Sequence, residues 1–223
     1  MSEGEEFWPG ERHEAGADVE VAEDEDTGEG PAVEELEAAE VEADAAPVDE
    51  EPQLAGHAPG MLSIPDGLDV IEGVPHGTRK RVAVVLSRFN GDVTNRLLES
   101  ALGELDRVGI EREHVTVMPV PGAFELPLGA MALAKTRRYV AVIALGCVIR
   151  GETAHFEYVA GEAASGLQLA ALETGVPVSF GVLTTDNLQQ AMARVDKGAE
   201  AVRTALEMAD LFTQLRAAAK AGG

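Results

Sequence analysis

The chain has 223 residues, 40 Asp/Glu against 17 Lys/Arg, a formal net charge of −23 and a single cysteine. One cysteine excludes an intrachain disulfide and any multi-cysteine metal cluster, and no apolar run approaches the about 20 residues of a membrane span. Residues 1–60 hold 21 acidic residues and one basic residue, Arg12, so the remaining 19 acidic and 16 basic residues leave a nearly neutral body, and the low pI says little about what that body binds.

Residues 1–60 are Glu, Asp, Ala, Gly and Pro with few large apolar side chains, too few to offset the entropy of ordering. A disordered acidic tail is expected there, with transient helical turns at most over VEELEAAEVEADAA and with Phe7 and Trp8 as its only aromatics. The N-terminus carries acids where a secretory signal would carry a basic region, so a cytoplasmic protein is expected. From Met61 the character changes. Leu62, Ile64, Leu68, Val70 and Ile71 predict an extended arm strand within residues 61–79, ahead of an α/β core over residues 80–215.

The core begins with RVAVVLS, an apolar run that suits a strand buried on both faces of a parallel sheet. Val93, Leu97, Leu98, Ala101, Leu102 and Leu105 then recur at helical spacing up to a stop at Gly109. HVTVMPVPG predicts a strand whose Pro119 and Pro121 keep it from a central place. AFELPLGAMALAKTRR reads as a second helix, YVAVIALGC from Tyr139 as another doubly buried strand, and ETAHFEYVAGEAASGLQLAALETG as a third helix stopped by Gly175. PVSFGVLTT is the fourth strand, after which Asp186 or Asn187 caps a helical region running to the C-terminus. Four strands alternating with helices predict a three-layer α/β fold, a four-stranded parallel sheet covered on both faces.

Ligands of such sheets bind beyond the carboxyl ends of the strands, and there this sequence places SRFN, PVPGAFE, GCVIRGETAH and SFGVLTTDN. At the third corner a glycine turn leaves the N–H groups of Glu152, Thr153 and Ala154 at the positive end of a helix, an anion site, beside His155, a proton shuttle near neutral pH. By itself this corner reads more readily as a helix capped by Thr153 with a half-buried surface histidine. Four polar or aromatic corners converging on one edge favour the functional reading.

With SRFN, PGAFELP, LGCVIRGETAHFEYV, FGVLTT and the KGAEA…ALEMA helix in register from about Ile71 to Leu211, the body resembles the 6,7-dimethyl-8-ribityllumazine synthase family. The resemblance implies a flavodoxin-like fold and a transferase of riboflavin biosynthesis. Its reaction is a condensation of 5-amino-6-(ribitylamino)uracil with 3,4-dihydroxy-2-butanone 4-phosphate that uses no metal or other cofactor. It implies that Phe89 stacks on the pyrimidine, that Ala123, Phe124 and Glu125 hold the ribityl chain, and that Cys147, Val148 and Ile149 line the pyrimidine edge through their backbone. Glu152 and Thr153 would cradle the phosphate and His155 would act as general acid/base. Phe180 would close the pocket of a neighbouring subunit, Arg194 would pair with the phosphate and Lys197 would stand near it. The family builds homo-oligomers, so a pentamer is expected as the smallest assembly and an icosahedral 60-mer cage as the final one. Riboflavin synthase is an expected partner, nucleic acid and membrane are not. A scaffold role, or a flavin- or lumazine-carrying relative without catalysis, is the alternative. Two features depart from the family pattern. RVDKGAE stands where most members have a longer connection of the type AGTKAGNKG, which puts the poses of Arg194 and Lys197 in question, and the acidic tail is an addition.

Overall fold

A computed structural model describes residues 62–77 and 79–221. The expected acidic tail, residues 1–60, lies outside the described residues. Four strands, β1 (Val82–Ser87), β2 (Val115–Val120), β3 (Ala141–Ile149) and β4 (Val178–Thr185), form one parallel sheet in the order β2-β1-β3-β4. The helices are α1 (Gly91–Arg107), α2 (Leu126–Lys135), α3 (His155–Thr174), α4 (Leu188–Met192) and α5 (Lys197–Ala221). The predicted α/β sandwich is the observed one. Among the described residues no helix is long and apolar enough to cross a membrane.

Strand alternation builds two cores. Val82, Val84 and Leu86 of β1 with Ala141, Ile143, Leu145 and Cys147 of β3 face α1 and α5, while Ala83, Val85, Val142, Ala144 and Val148 face α2 and α3. This is why both central strands read as unbroken apolar runs. β2, which carries Pro119, is an edge strand with exposed Val117 and Met118, as its prolines required. Gly109, at φ 82°, follows the end of α1, where Ile110 N–H reaches Leu105 O and Gly109 N–H reaches Asp106 O, a glycine-terminated helix end. Asn187, one of the two residues expected to cap the last helical region, does so: its side chain accepts from Gln190 N–H at 2.9 Å. That region is split, with α4 separate from α5.

The arm departs from expectation, since residues 62–77 form no strand within this chain. A strand needs a sheet edge, and residues 72–76 lie against α5 instead. Val74 N–H donates to Asp210 Oδ2 at 3.1 Å, His76 Nε2 lies 3.0 Å from Asp210 Oδ1, and Gln214 Nε2 donates to both Glu72 O and Asp210 Oδ2. Burial acts to raise the Asp210 carboxyl, but the hydrogen bonds from Val74, Gln214 and His76 and the nearby Lys80 charge outweigh it and hold it below the ordinary aspartate value. A depressed carboxyl contributes stability that is present above its unfolded value and lost as pH falls through its folded one. The stability advantage of wild type over Asp210→Asn should therefore be largest near neutral pH and shrink as pH falls through the lowered range of this carboxyl, which flattens the acid limb of the variant's stability–pH curve; an unchanged limb would remove this carboxylate from the linkage.

Candidate active site

Three strand ends build one cavity of about 580 Å³. Its walls are Phe89 and Asn90 after β1, Gly122–Glu125 after β2, and Cys147, Val148, Ile149, Gly151, Thr153 and His155 around the end of β3, with Phe156, Tyr158 and Val159 from α3. Phe89 is 70% exposed and Phe124 57%, an unusual fate for phenylalanine unless a ligand or partner covers it. Glu125 Oε2 accepts from Gly122 N–H at 2.8 Å, the reciprocal half of a capping box, and this fixes the carboxylate at the cavity wall.

Asn90, quoted in SRFN but given no role from sequence, is a structural link. It adopts φ 57° at the start of α1, a left-handed conformation that asparagine tolerates better than most residues, and its Nδ2 donates to Cys147 O at 2.9 Å. That bond ties the corner carrying Phe89 to the end of β3. Tyr158, 72% exposed on the first turn of α3, is a second lining residue to which the sequence analysis gives no role.

The β3–α3 corner differs from expectation in register. The helix begins at His155 with Ala154 in the capping position and no side-chain cap, so Thr153 is not a cap and the N–H groups of Glu152 and Thr153 precede the helix. Residues 151–154 form a turn instead. Glu152 is exposed but does not line the cavity, whereas Thr153 and His155 do. The turn is anchored through Arg150. Its N–H donates to Thr185 O at 2.8 Å, its Nε to Asp186 Oδ1 at 2.9 Å, and its guanidinium stands 4.7 Å from the Phe156 ring centre and 3.6 Å from Glu157 Oε1. A charged group bridging the ends of β3 and β4 while stacked on an aromatic ring holds the loop against the cavity wall.

Cys147 is 1% exposed and burial pushes its thiol up to about 11. The thiolate is the nucleophilic form, so this cysteine is inert near neutral pH. Cys147→Ala should change turnover by less than about threefold, since its wall contribution is the backbone carbonyl. Loss of activity on mild alkylation that wild type shows and Cys147→Ala escapes would give the thiol a chemical role.

Phe180, Arg194 and Lys197 are not in this cavity. They line a second one of about 460 Å³, between the outer face of β4 and the start of α5, together with Glu200 and Thr204. Phe180 is 47% exposed, Arg194 Nη1 donates to Gln190 O at 2.9 Å, and the Lys197 ammonium contacts Glu200. The chain thus presents two open sites, one bearing His155 and one bearing two cations. Among the described residues the one group of side chains within ligating reach of one another is Glu111, Glu113 and His114, at the far end of β2 and outside both cavities.

A sequence profile of the 6,7-dimethyl-8-ribityllumazine synthase family matches residues 79–213, which include every cavity residue named above. The 6,7-dimethyl-8-ribityllumazine synthases of Yersinia pestis (strain Pestoides F) and Yersinia pseudotuberculosis (serotype O:1b, strain IP 31758) are each 52% identical over 155 residues, covering 67% of this chain and 99% of the relative.

Proposed function

The chain belongs to the 6,7-dimethyl-8-ribityllumazine synthase family, and from that premise we propose how its two cavities divide the family's reaction. It is an enzyme of riboflavin biosynthesis that condenses 5-amino-6-(ribitylamino)uracil with 3,4-dihydroxy-2-butanone 4-phosphate to give 6,7-dimethyl-8-ribityllumazine, phosphate and two molecules of water, one lost at imine formation and one at ring closure. An amine of the pyrimidine forms an imine with the ketone, phosphate leaves from the adjoining carbon chain, and the second amine closes the ring.

The first cavity takes the pyrimidine. Phe89 stacks on its ring, the backbone of Cys147, Val148 and Ile149 reads its edge, and Ala123, Phe124 and Glu125 hold the ribityl chain, with Glu125 accepting from a hydroxyl. What supports this half is one concave wall that brings an exposed aromatic, a fixed carboxylate and an imidazole together. His155 moves the protons of imine formation and elimination, at hydrogen-bond reach of a substrate seated in the cavity. Thr153, in the turn ahead of α3, receives the phosphate from within the cavity, while Glu152, expected to share that role, stands outside the lining.

A departing phosphate dianion needs cationic partners, and the first cavity has no lysine or arginine among its lining residues. Arg194 and Lys197 supply the charge from the second cavity, which in one chain stands apart from the first. A complete site therefore takes its first cavity from one subunit and Phe180, Arg194 and Lys197 from the next. The protein works as an oligomer. A head-to-tail ring, with a pentamer as its closed form and an icosahedral cage beyond it, satisfies that arrangement. The arm supports it too. Leu62 is 86% exposed and Leu68 62%, and Ile64, Val70 and Ile71 are exposed as well, apolar surface best covered by a neighbouring subunit. An anaerobic assay with both substrates should develop the lumazine absorbance; absence of the chromophore with folded, oligomeric protein would overturn the reading.

A further inference from the structure

At the opposite end of the sheet from the first cavity, where the strands begin, a third cavity of about 250 Å³ lies between the α2–β3 connection, the α3–β4 connection and α5. Three of its lining residues are Arg137, Arg138 and Arg216, and none is acidic. Among the described residues no ion pair engages these three guanidiniums, unlike those of Arg107, Arg112, Arg150 and Arg203, each of which meets a carboxylate. Arg137 Nη1 donates to Thr174 O at 2.5 Å and Arg216 Nε to Phe212 O at 3.0 Å. These bonds anchor two of the side chains at the cavity and leave their other N–H groups for a ligand.

The backbone gives an independent observation. Arg137 adopts φ 58°, the left-handed region in which a side chain other than Gly, Asn or Asp is costly. An arginine there keeps a cation at a place where glycine would fit the turn without strain, and residues held in such conformations cluster at binding sites. All three arginines are exposed at the cavity, and the planar guanidinium matches the oxygens of phosphate.

We propose that this cavity is a second, non-catalytic anion site that takes a polyvalent phosphate-type oxyanion. Its volume falls below that of pockets that enclose drug-sized ligands, so it suits phosphate, pyrophosphate or the phosphate end of a small ester.

Pyrophosphate titrated calorimetrically into the full chain provides the test, with Arg137→Gly/Arg216→Ala as the variant. Glycine at 137 relieves the backbone rather than straining it, and thermal unfolding checks the fold. Wild type should show two saturable classes per chain, one at each site. The variant should keep full lumazine formation and lose one class, with affinity there falling at least about tenfold, since two charge-assisted contacts are removed. Arg194→Ala should weaken the other class. Two classes retained in the variant, or a single class in wild type that Arg194→Ala weakens, would overturn the second site while leaving the active-site reading intact. Two classes of which Arg194→Ala touches neither would instead count against Arg194.

Discussion

His155→Ala is expected to lower turnover about 10- to 100-fold while the protein folds, assembles and binds both substrates within about threefold of wild type. The imidazole is on the first residue of α3, exposed, and lines the first cavity. A positioned acid/base is worth about 10²–10⁴-fold, and the open site admits water to replace part of it, which brings the expected loss down to or below the bottom of that range. The loss should fall on kcat, because the histidine is asked to act in the proton transfers and not in ground-state binding. Steady-state lumazine formation checks it. An unchanged kcat would leave the cavity without its base, and a raised KM alone would make His155 a binding residue.

Gly198→Ala is expected to cost the fold about 2–4 kcal/mol, although alanine in a helix ordinarily gains up to about 1 kcal/mol over glycine. Gly198 lies in the first turn of α5, buried where α5 crosses α1. A Cβ there would press on the carbonyl oxygen of Leu97 far inside the 3.0 Å that real Cβ atoms keep, and would also stand 3.1 Å from Ala101 N. These are backbone atoms of a packed helix and have no rotamer by which to yield. The two helices must part, and with them the core formed by Leu97, Ala101, Val202 and Leu206. The midpoint of thermal unfolding should fall by about 5–15 °C. A midpoint equal to or above that of wild type would mean that propensity outweighs the crossing, and that the helices have slack there.

The layered sheet was legible because its two central strands are apolar on both alternations, a pattern that only burial on both faces explains, and because Pro119 marked β2 as an edge. The start of α3 was read too early. GETA looks like a helix entry by residue type, but without a side-chain cap the chain turns once more before His155. The arm was read as a strand from its apolar residues, and sequence could not reveal that its polar atoms are satisfied by Asp210 and Gln214 from the far end of the chain. The three corners of the first cavity were legible as turn chemistry at strand ends. Phe180 was expected to serve a neighbouring subunit, but that Arg194 and Lys197 stand with it in another cavity was not legible, since sequence spacing does not say on which side of β4 a residue emerges. Asn90 and Arg150 were hidden for the same reason: their roles lie in bonds to Cys147 and Asp186, across strand ends that only the fold brings together.

Sharing of the site between subunits is tested most directly by complementation. His155→Ala disables the first cavity and Arg194→Ala the second, the latter by weakening capture of the butanone phosphate when that substrate is kept dilute. If each complete site draws His155 from one chain and Arg194 from its neighbour, random co-assembly of the two variants in equal amounts restores both groups at about a quarter of the sites in a head-to-tail ring. Lumazine formation by the co-assembled protein should then approach about a quarter of the wild-type rate, well above either variant alone. A mixture no more active than the sum of its separately assembled parts would place His155 and Arg194 of the same chain in one site and contradict the account.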